Sequence, residues 1–258
     1  MKKIVYGVFI FLFSSTLVNA SNIIYDIDMD IYLDEQGNAN ITEIWDVKGS
    51  DETEWYKWYG NIGQMQLKDF TVSMDGKELE KSDLWDVNKS LEEKKGYYGV
   101  NNTSKGFELC FGKYDYYRHR FTLKYTLTNV IFNTDDSQVL YNTFIDRLSS
   151  VKFYDFHIKI SSYYSFSDDL DVWGYGYKGY AYVKDSVIEA SNDILMNNNY
   201  VVLLVKFPVG TFNTEVNYEQ YKTFNDVYTK AEKNTFKYDY SKKMMIIIQM
   251  IMIISIQL

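Results

Sequence analysis

Alternating apolar and polar positions are the dominant pattern along this chain. From residue 23 to residue 33 the side chains alternate with a period of two, as in a strand with one buried face. After the turn-forming sequence DEQGN at 34–38, the alternation resumes over residues 39–46, so the two segments predict a β-hairpin. The face predicted to be buried carries Ile23, Tyr25, Ile27, Met29, Ile31 and Leu33 on the first strand, and Ala39, Ile41, Glu43 and Trp45 on the second.

The same period recurs further along the chain. Asp75-Gly76, a dipeptide that favours tight hairpin turns, predicts a hairpin over residues 67–80, and Lys184-Asp185 lies at the centre of another over 179–190. Residues 200–207 are almost all apolar, which is typical of a central buried strand. Further strands are predicted at 107–112, 119–132, 138–145 and 151–161. Together these segments predict an all-β protein, with an antiparallel β-sandwich-like domain over residues 21–212.

The two ends of the chain have different patterns. Residues 1–20 combine a basic start, an apolar run and a small-residue end, which is typical of a secretory signal peptide. Residues 213–243 lose the period of two, and aromatic side chains at helical spacing there predict a helical stalk. Residues 244–258 are apolar but shorter than the roughly 20 residues of a membrane-spanning helix. They leave three interpretations open: a marginal membrane anchor, the end of a truncated or frameshifted gene product, or a buried strand.

Composition narrows the class of protein. Aromatic residues make up 18% of the 258-residue chain, and Tyr and Phe favour β-structure. The net charge of −8 argues against nucleic acid as a partner, because that surface requires clustered Lys and Arg. The one cysteine, Cys110, excludes an intramolecular disulfide bond and is predicted to be a small buried apolar residue. An exported chain without disulfide bonds suits a bacterium.

Candidate ion ligands are few. Asp26, Asp28 and Asp30 resemble the start of a calcium loop, but the glycine of that loop is missing and alternation places the three carboxylates on one solvated strand face. The two histidines, His119 and His157, fall in separate predicted strands without metal-ligand spacing, so no metal site and no cofactor is predicted. The arginines flanking His119 are expected to lower its pKa.

Two segments are candidate partner-binding surfaces. Four aromatic residues within positions 55–59 cannot all point inward, and exposed Trp and Tyr side chains stack on sugars or anchor protein partners. The alternative is a loop that covers the core. An acidic loop ahead of a tryptophan is the second candidate, against the alternative of a solvated turn. The candidate residues are Trp55, Tyr56, Trp58, Tyr59, Asp168, Asp169, Asp171 and Trp173.

No motif of a catalytic site occurs in the sequence. Hydrolase, metalloprotease, nucleotide-binding and dinucleotide-binding signatures are all missing. Glu43, Glu52 and Glu54 could supply paired carboxylates for glycoside hydrolysis, although only their abundance supports this. A hydrolase that uses Glu43 or Asp171 therefore stays an alternative to a binding protein.

Several segments follow one another in a recognisable order. A signal peptide is followed by IIYDIDMDIYLDEQGNANITEIWDV and EWYKWYGNIGQMQLKDFTV, and then by VWGYGYKGYAYVKDSVIEA and KFPVGTFNTEV. In the order of these segments the chain resembles the DUF2207 family of predicted bacterial membrane proteins, over about residues 22–230. The resemblance implies an extracytoplasmic β-domain followed by transmembrane helices, with no catalytic residues to carry over. This chain stops inside the segment that resembles the first of those helices, which supports truncation.

The expected function is non-enzymatic. We expect an extracytoplasmic domain of a cell-envelope protein, associated with the membrane through its C-terminal segment, that binds a protein or glycan partner. A structural subunit of a membrane complex is a further alternative. The aromatic segment 55–59 and the loop 168–177 are the predicted binding surfaces.

Overall fold

The computed structural model of the chain describes residues 21–148 and 151–234. Strands account for 55% of the described residues and helices for 7%, which confirms the all-β prediction. The predicted signal peptide (1–20) and C-terminal segment (244–258) lie outside the described residues. None of the described helices is both long and apolar enough to cross a bilayer.

Sixteen strands and two helices make up the described part of the chain. The strands are β1 (Asn22–Leu33), β2 (Ala39–Lys48), β3 (Glu54–Gly60), β4 (Gln66–Met74), β5 (Lys77–Glu78), β6 (Glu80–Lys81), β7 (Tyr97–Thr103), β8 (Gly106–Gly112), β9 (Arg118–Thr128), β10 (Ile131–Asn133), β11 (Gln138–Ile145), β12 (Val151–Ser162), β13 (Asp171–Tyr175), β14 (Gly179–Lys184), β15 (Val187–Asn192) and β16 (Val201–Phe207). The helices are α1 (Leu91–Lys94) and α2 (Phe224–Asn234).

Eight strands form one large sheet in the order β14-β15-β12-β1-β2-β9-β4-β5. The predicted hairpin of β1 and β2 lies at its centre, with Ile27 paired to Trp45. On its other side β1 pairs with β12 in parallel, from Asn22 opposite Val151 to Leu33 opposite Ser162. The prediction of a purely antiparallel domain is therefore wrong at this position, and β6 and β7 form a second parallel pair.

A β-bulge near the start of β1 makes its first residues face differently from the prediction. The pairing with β2 shifts between Ile24 and Asp26, so Tyr25 is the extra residue. Ile24 and Ile27 are both fully buried, whereas Ile23 and Tyr25 are half-buried. From Ile27 onward the predicted alternation holds, and Asp26, Asp28 and Asp30 share the outer face as expected.

Two four-stranded sheets cover the inner face of the large sheet side by side. We call them the β3 sheet (β3-β8-β7-β6) and the β11 sheet (β10-β11-β16-β13). The β3 sheet packs over β2, β9 and β4, where the ring of Trp45 meets that of Phe111 edge-on at 5.6 Å. The β11 sheet packs over β1 and β12 within the same core. The result is a sandwich in which one layer is divided in two.

Helix α2 covers the outer side of the β11 sheet. Its own side chains Val227 and Ala231 are fully buried against the sheet, and the ring of Phe224 lies 5.3 Å from that of Trp173 on β13. In the first turn of the helix, the carboxylate of Asp226 accepts a hydrogen bond from the backbone N–H of Thr223 at 2.8 Å. Of the predicted stalk 213–243, the described residues contain helix only at Phe224–Asn234, which packs on the domain, and residues 235–243 lie outside the described residues.

Most predicted strands match observed strands within a residue or two. The run 119–132 is divided by a turn at Asn129, whose φ is 59°, into β9 and β10. The β14–β15 turn is centred on Asp185 and Ser186, one residue later than predicted, and both have positive φ. β3, β7 and β13 were not predicted as strands.

Candidate functional site

Two strand edges face each other where the β3 sheet and the β11 sheet meet. β3 is an edge strand that pairs with β8 alone. β10 pairs only with Gln138–Leu140 of β11, so Tyr141–Ile145 has β16 as its single strand partner. Lys57 joins the two edges by donating a hydrogen bond to the carbonyl oxygen of Phe144 at 2.8 Å. We call the space along these edges the seam groove.

A buried ion pair lies below the seam groove. The carboxylate of Glu43 on β2 is fully buried, and Lys57 Nζ lies 2.5 Å from its Oε1 atom. Trp45 Nε1 donates to Glu43 Oε2 at 2.8 Å, and the hydroxyl of Tyr125 donates to Oε1. The hydroxyls of Tyr59 and Tyr125 are 2.6 Å apart. This cluster connects all three sheets, because its members lie on β2, β3, β9 and β11.

Burial shifts the pKa values of several side chains in this cluster. It lowers the pKa of Lys57, although the charge of Glu43 and its hydrogen bond to Lys57 act in the opposite direction. Burial and the Glu43 charge raise the pKa values of Tyr59 and Tyr125 well above 10, so both hydroxyls keep their protons and can donate. The carboxylate of Glu43 therefore has its hydrogen-bonding capacity filled from within the protein.

Tyr56 and Trp58 form one wall of a cleft of about 180 Å³ in the seam groove. Alternation along β3 turns Trp55, Lys57 and Tyr59 inward and leaves Tyr56 42% exposed and Trp58 half-buried. The opposite wall is the end of β11, and Arg147 follows it. The structure thus divides the predicted aromatic segment: Tyr56 and Trp58 are accessible, whereas Trp55 and Tyr59 belong to the core.

A larger pocket of about 500 Å³ occupies the other end of the seam groove. It lies beside the edge of β11 that has no strand partner, and its walls combine four aromatic side chains with several amide side chains; the rings of Phe132 and Tyr221 are stacked at 5.8 Å. Asn142 lines it with only 8% of its surface exposed, and its Nδ2 atom has no hydrogen-bond partner among the described residues. Lys230 of α2 adds a positive charge at the wall.

An unpartnered buried amide is unfavourable by about 1–3 kcal/mol. A ligand with a carbonyl, hydroxyl or carboxylate oxygen would relieve this cost at Asn142. A few polar groups placed beside aromatic and aliphatic side chains in a pocket of several hundred Å³ are typical of binding sites. The sequence gives no sign of this pocket, because its walls come from six separate segments of the chain.

The second predicted surface is not a loop throughout. Asp168 and Asp169 lie exposed in a turn, and Asp171 is exposed at the start of β13. Trp173 is half-buried beneath α2, where its ring lies 5.4 Å from that of Tyr228. Trp173 therefore packs the helix onto the sheet, and none of these four residues lines the seam groove.

Each glutamate considered for hydrolysis has internal partners. Glu54 lies 2.8 Å from Lys94 Nζ and accepts a hydrogen bond from Trp85 Nε1 at 2.7 Å. Glu52 accepts a hydrogen bond from Asn22 Nδ2 at 3.0 Å, and Lys113 Nζ is 3.8 Å from the same carboxylate.

Cys110 is buried as predicted, and burial raises the pKa of its thiol.

The structure contradicts the prediction that the pKa of His119 is lowered. Its Nδ1 and Nε2 atoms lie 2.7 Å from Asp75 and 2.8 Å from Asp115, respectively. Burial lowers the pKa of His119, but these two carboxylates outweigh burial and raise the pKa above 6.5. Of the two flanking arginines, Arg118 forms a bidentate pair with Asp46 at 2.7 and 2.8 Å.

We expect the His119→Gln variant to lose stability mainly below neutral pH. The raised pKa means that protonated His119 stabilises the folded state fully below about pH 6.5, and this contribution fades as pH rises through the folded pKa. The difference in free energy of unfolding should be up to about 1 kcal/mol near pH 5.5 and smaller at pH 8.5. Urea titrations at both pH values measure it, and a difference that grows with pH would contradict the assignment.

No protein-family model matches the sequence, and no curated protein matches it. Solved structures that align with the chain include yeast LTA4 hydrolase in complex with Bestatin, at a TM-score of 0.48 and 10% identity over 72% of this chain. The M1 zinc metallopeptidase from Deinococcus radiodurans aligns at a TM-score of 0.36 and 8% identity, also over 72% of this chain. The chain spans 29% and 42% of those two proteins. Likenesses this distant carry no functional inference, and the DUF2207 resemblance stays a prediction.

Proposed function

We propose that this chain is a non-enzymatic binding domain of a bacterial envelope protein, and that its ligand is an extended polypeptide segment in the seam groove. The observation that carries the proposal is the edge of β11 at Tyr141–Ile145, which lies between two pockets and has no strand partner there apart from the hydrogen bond of Lys57 to the Phe144 carbonyl oxygen. A strand edge without a partner strand presents backbone N–H and C=O groups that a peptide strand can pair with. Protein is therefore favoured over glycan as the partner.

The two pockets would give such a peptide its specificity. Successive side chains of an added strand point to opposite faces, so pockets near a strand edge select alternate side chains. The cleft at Tyr56 and Trp58 suits one ring-sized or aliphatic side chain, and Arg147 offers a charge at its wall. The larger pocket at Asn142 suits a longer side chain with an oxygen acceptor.

The burial of Glu43 favours binding over hydrolysis. A general acid or base must reach the substrate, and Glu43 has no solvent exposure and accepts bonds from Lys57, Trp45 and Tyr125. Asp171 lies exposed on β13, the edge of the β11 sheet farthest from β10. Within the described residues the two carboxylates of the hydrolase alternative do not share a cleft.

Random peptides displayed on phage and selected on the full chain test the proposal. Selected peptides should bind the Trp58→Ala variant at least tenfold more weakly, because central aromatic anchors commonly contribute about 2 kcal/mol or more. The matched control is Tyr117→Ala, which removes an aromatic side chain that is 76% exposed and lines neither pocket. Hydrogen exchange should slow at Tyr141–Ile145 when the peptide is added.

Asn142→Leu separates ligand binding from stability. Replacing an unpartnered buried amide by an apolar side chain of similar size should raise the free energy of unfolding by about 1 kcal/mol. The same change should weaken peptide binding. Peptides that bind both variants like the wild type, or a glycan array that gives ligands while peptides give none, would contradict the proposal.

A further inference from the structure

We infer that the outer face of the large sheet holds a site for one divalent first-row transition ion such as Zn²⁺, coordinated by Asp26, Asp28 and His157. This face is the side of the sheet opposite the β3 and β11 sheets, so the site is separate from the seam groove. The ligand atoms of the three side chains all lie within 4.8 Å of one another. Ligand atoms about 2.1 Å from a tetrahedral Zn²⁺ ion lie roughly 3.4 Å from one another, so rotations of the side chains must bring these atoms closer together to bind the ion.

Strand register brings the three side chains together. β1 and β12 run parallel, and Asp28 on β1 is directly opposite His157 on β12. Asp26 and Asp28 are two residues apart on β1, so strand alternation places both on the outer face. Two strands separated by more than 100 positions thus supply one imidazole and two carboxylates to one point on the sheet surface.

Asp26 lies among other carboxylates on the sheet. Its neighbours across the sheet are Asp155 on β12 and Asp46 on β2, so three carboxylates lie in one row. Asp46 is paired with Arg118, but within the described residues no Lys or Arg side chain forms a salt bridge with Asp26 or Asp28. A divalent cation would neutralise this pair directly.

An unsatisfied oxygen atom points independently to a ligand. The Oδ1 atom of Asp26 is inaccessible to solvent and has no hydrogen-bond partner among the described residues. A buried charged oxygen without a partner is more costly than a neutral one, and carboxylates in this situation are usually paired or coordinate a metal. Only one other described side chain, Asn142, has such an atom.

His157 is held in the manner of a metal ligand. The hydroxyl of Ser191 on β15 lies 3.2 Å from His157 Nδ1. β15 flanks β12 on the side away from β1, so Ser191 fixes the ring from the side opposite the aspartates. A partner on one ring nitrogen commonly orients a histidine whose other nitrogen binds a metal.

The ligand set selects the class of ion. Imidazole suits zinc and other transition metals, whereas calcium and magnesium prefer sites made of oxygen atoms. His157 is exposed, so water can complete the coordination shell. His119 provides a useful contrast: its two carboxylates contact opposite ring nitrogens, and such an arrangement cannot close around one ion.

Isothermal titration of the untagged, metal-stripped full chain with Zn²⁺ tests the site, and Co²⁺ absorption reports its coordination. We expect one ion per chain, with Ca²⁺ failing to compete at equal concentration. His157→Ala and Asp26→Asn should each weaken Zn²⁺ binding at least tenfold, because each variant alters one of only three protein ligands. His119→Ala is the matched control and should bind like the wild type. Circular dichroism confirms that each variant is folded.

Three outcomes would overturn the inference. The first is no binding of Zn²⁺ or Co²⁺ below millimolar concentration. The second is binding that persists unchanged in both His157→Ala and Asp26→Asn. The third is binding that His119→Ala abolishes while His157→Ala does not.

Discussion

Lys57→Met should lower the free energy of unfolding by about 3–5 kcal/mol. Lys57 is 5% exposed, and its ammonium group neutralises a Glu43 carboxylate that has no contact with solvent. Removing one member of a buried ion pair leaves the other charge uncompensated, which is far more costly than losing a surface pair. The carbonyl oxygen of Phe144 would lose its donor as well. Urea unfolding at pH 7 measures the difference.

Two further variants show whether the unpaired charge is the cause. In Lys57→Met combined with Glu43→Gln, the amide oxygen can accept from Trp45 while the amide N–H donates to the hydroxyl oxygen of Tyr125, so much of the lost stability should return. The single Lys57→Met variant should also become more stable as pH falls, since the unpaired carboxylate takes up a proton in the folded state. Lys48→Met, at an exposed position of β2, is the control. A loss below about 1 kcal/mol would contradict a structural role for the pair.

Gly106→Ala should lower the free energy of unfolding by about 3 kcal/mol or more. Gly106 has a φ of 155°, where a side chain is strained, and a Cβ atom there would lie 1.9 Å from the carbonyl oxygen of Tyr59. Because that contact is with the backbone, β3 would have to move away from β8, and Tyr59 would be drawn out of the Glu43 cluster. Differential scanning calorimetry or urea unfolding measures the loss.

Gly76→Ala separates the backbone strain from the collision. Gly76 also has a positive φ, 81°, but a Cβ atom there meets nothing within 4 Å. This variant should lose only about 1–2 kcal/mol, the usual cost of a left-handed conformation for a residue with a side chain. Equal losses at the two positions would show that the close approach of Tyr59 has no effect of its own.

Local patterns in the sequence predict much of this fold. Alternation on β2 correctly placed Glu43 on the buried face, and Asp75-Gly76 correctly marked a hairpin turn. Alternation on β3 would also have separated Tyr56 and Trp58 from Trp55 and Tyr59, had residues 54–60 been recognised as a strand. Four aromatic residues in five positions hid that period, because the outward-facing positions are nearly as apolar as the inward-facing ones.

Pairings between distant strands lie beyond such patterns. Neither residue of the Glu43–Lys57 pair identifies its partner, since they lie in different sheets. The proximity of His157 to Asp28 follows only from the parallel register of β1 with β12. The seam groove depends on where β10 ends, which no local propensity determines. For these reasons the sequence located the aromatic surface but not the pocket at Asn142.

The parallel pairing of β1 with β12 also has a consequence for how the chain folds. The central strand of the large sheet cannot complete its pairing until Val151–Ser162 has been synthesised and has returned to it. Topologies dominated by such long-range contacts fold slowly, and their early intermediates expose strand edges. We therefore expect a fragment that ends before residue 151 to aggregate through the free edge of β1, and refolding of the whole chain to be slow compared with that of a helical protein of this size.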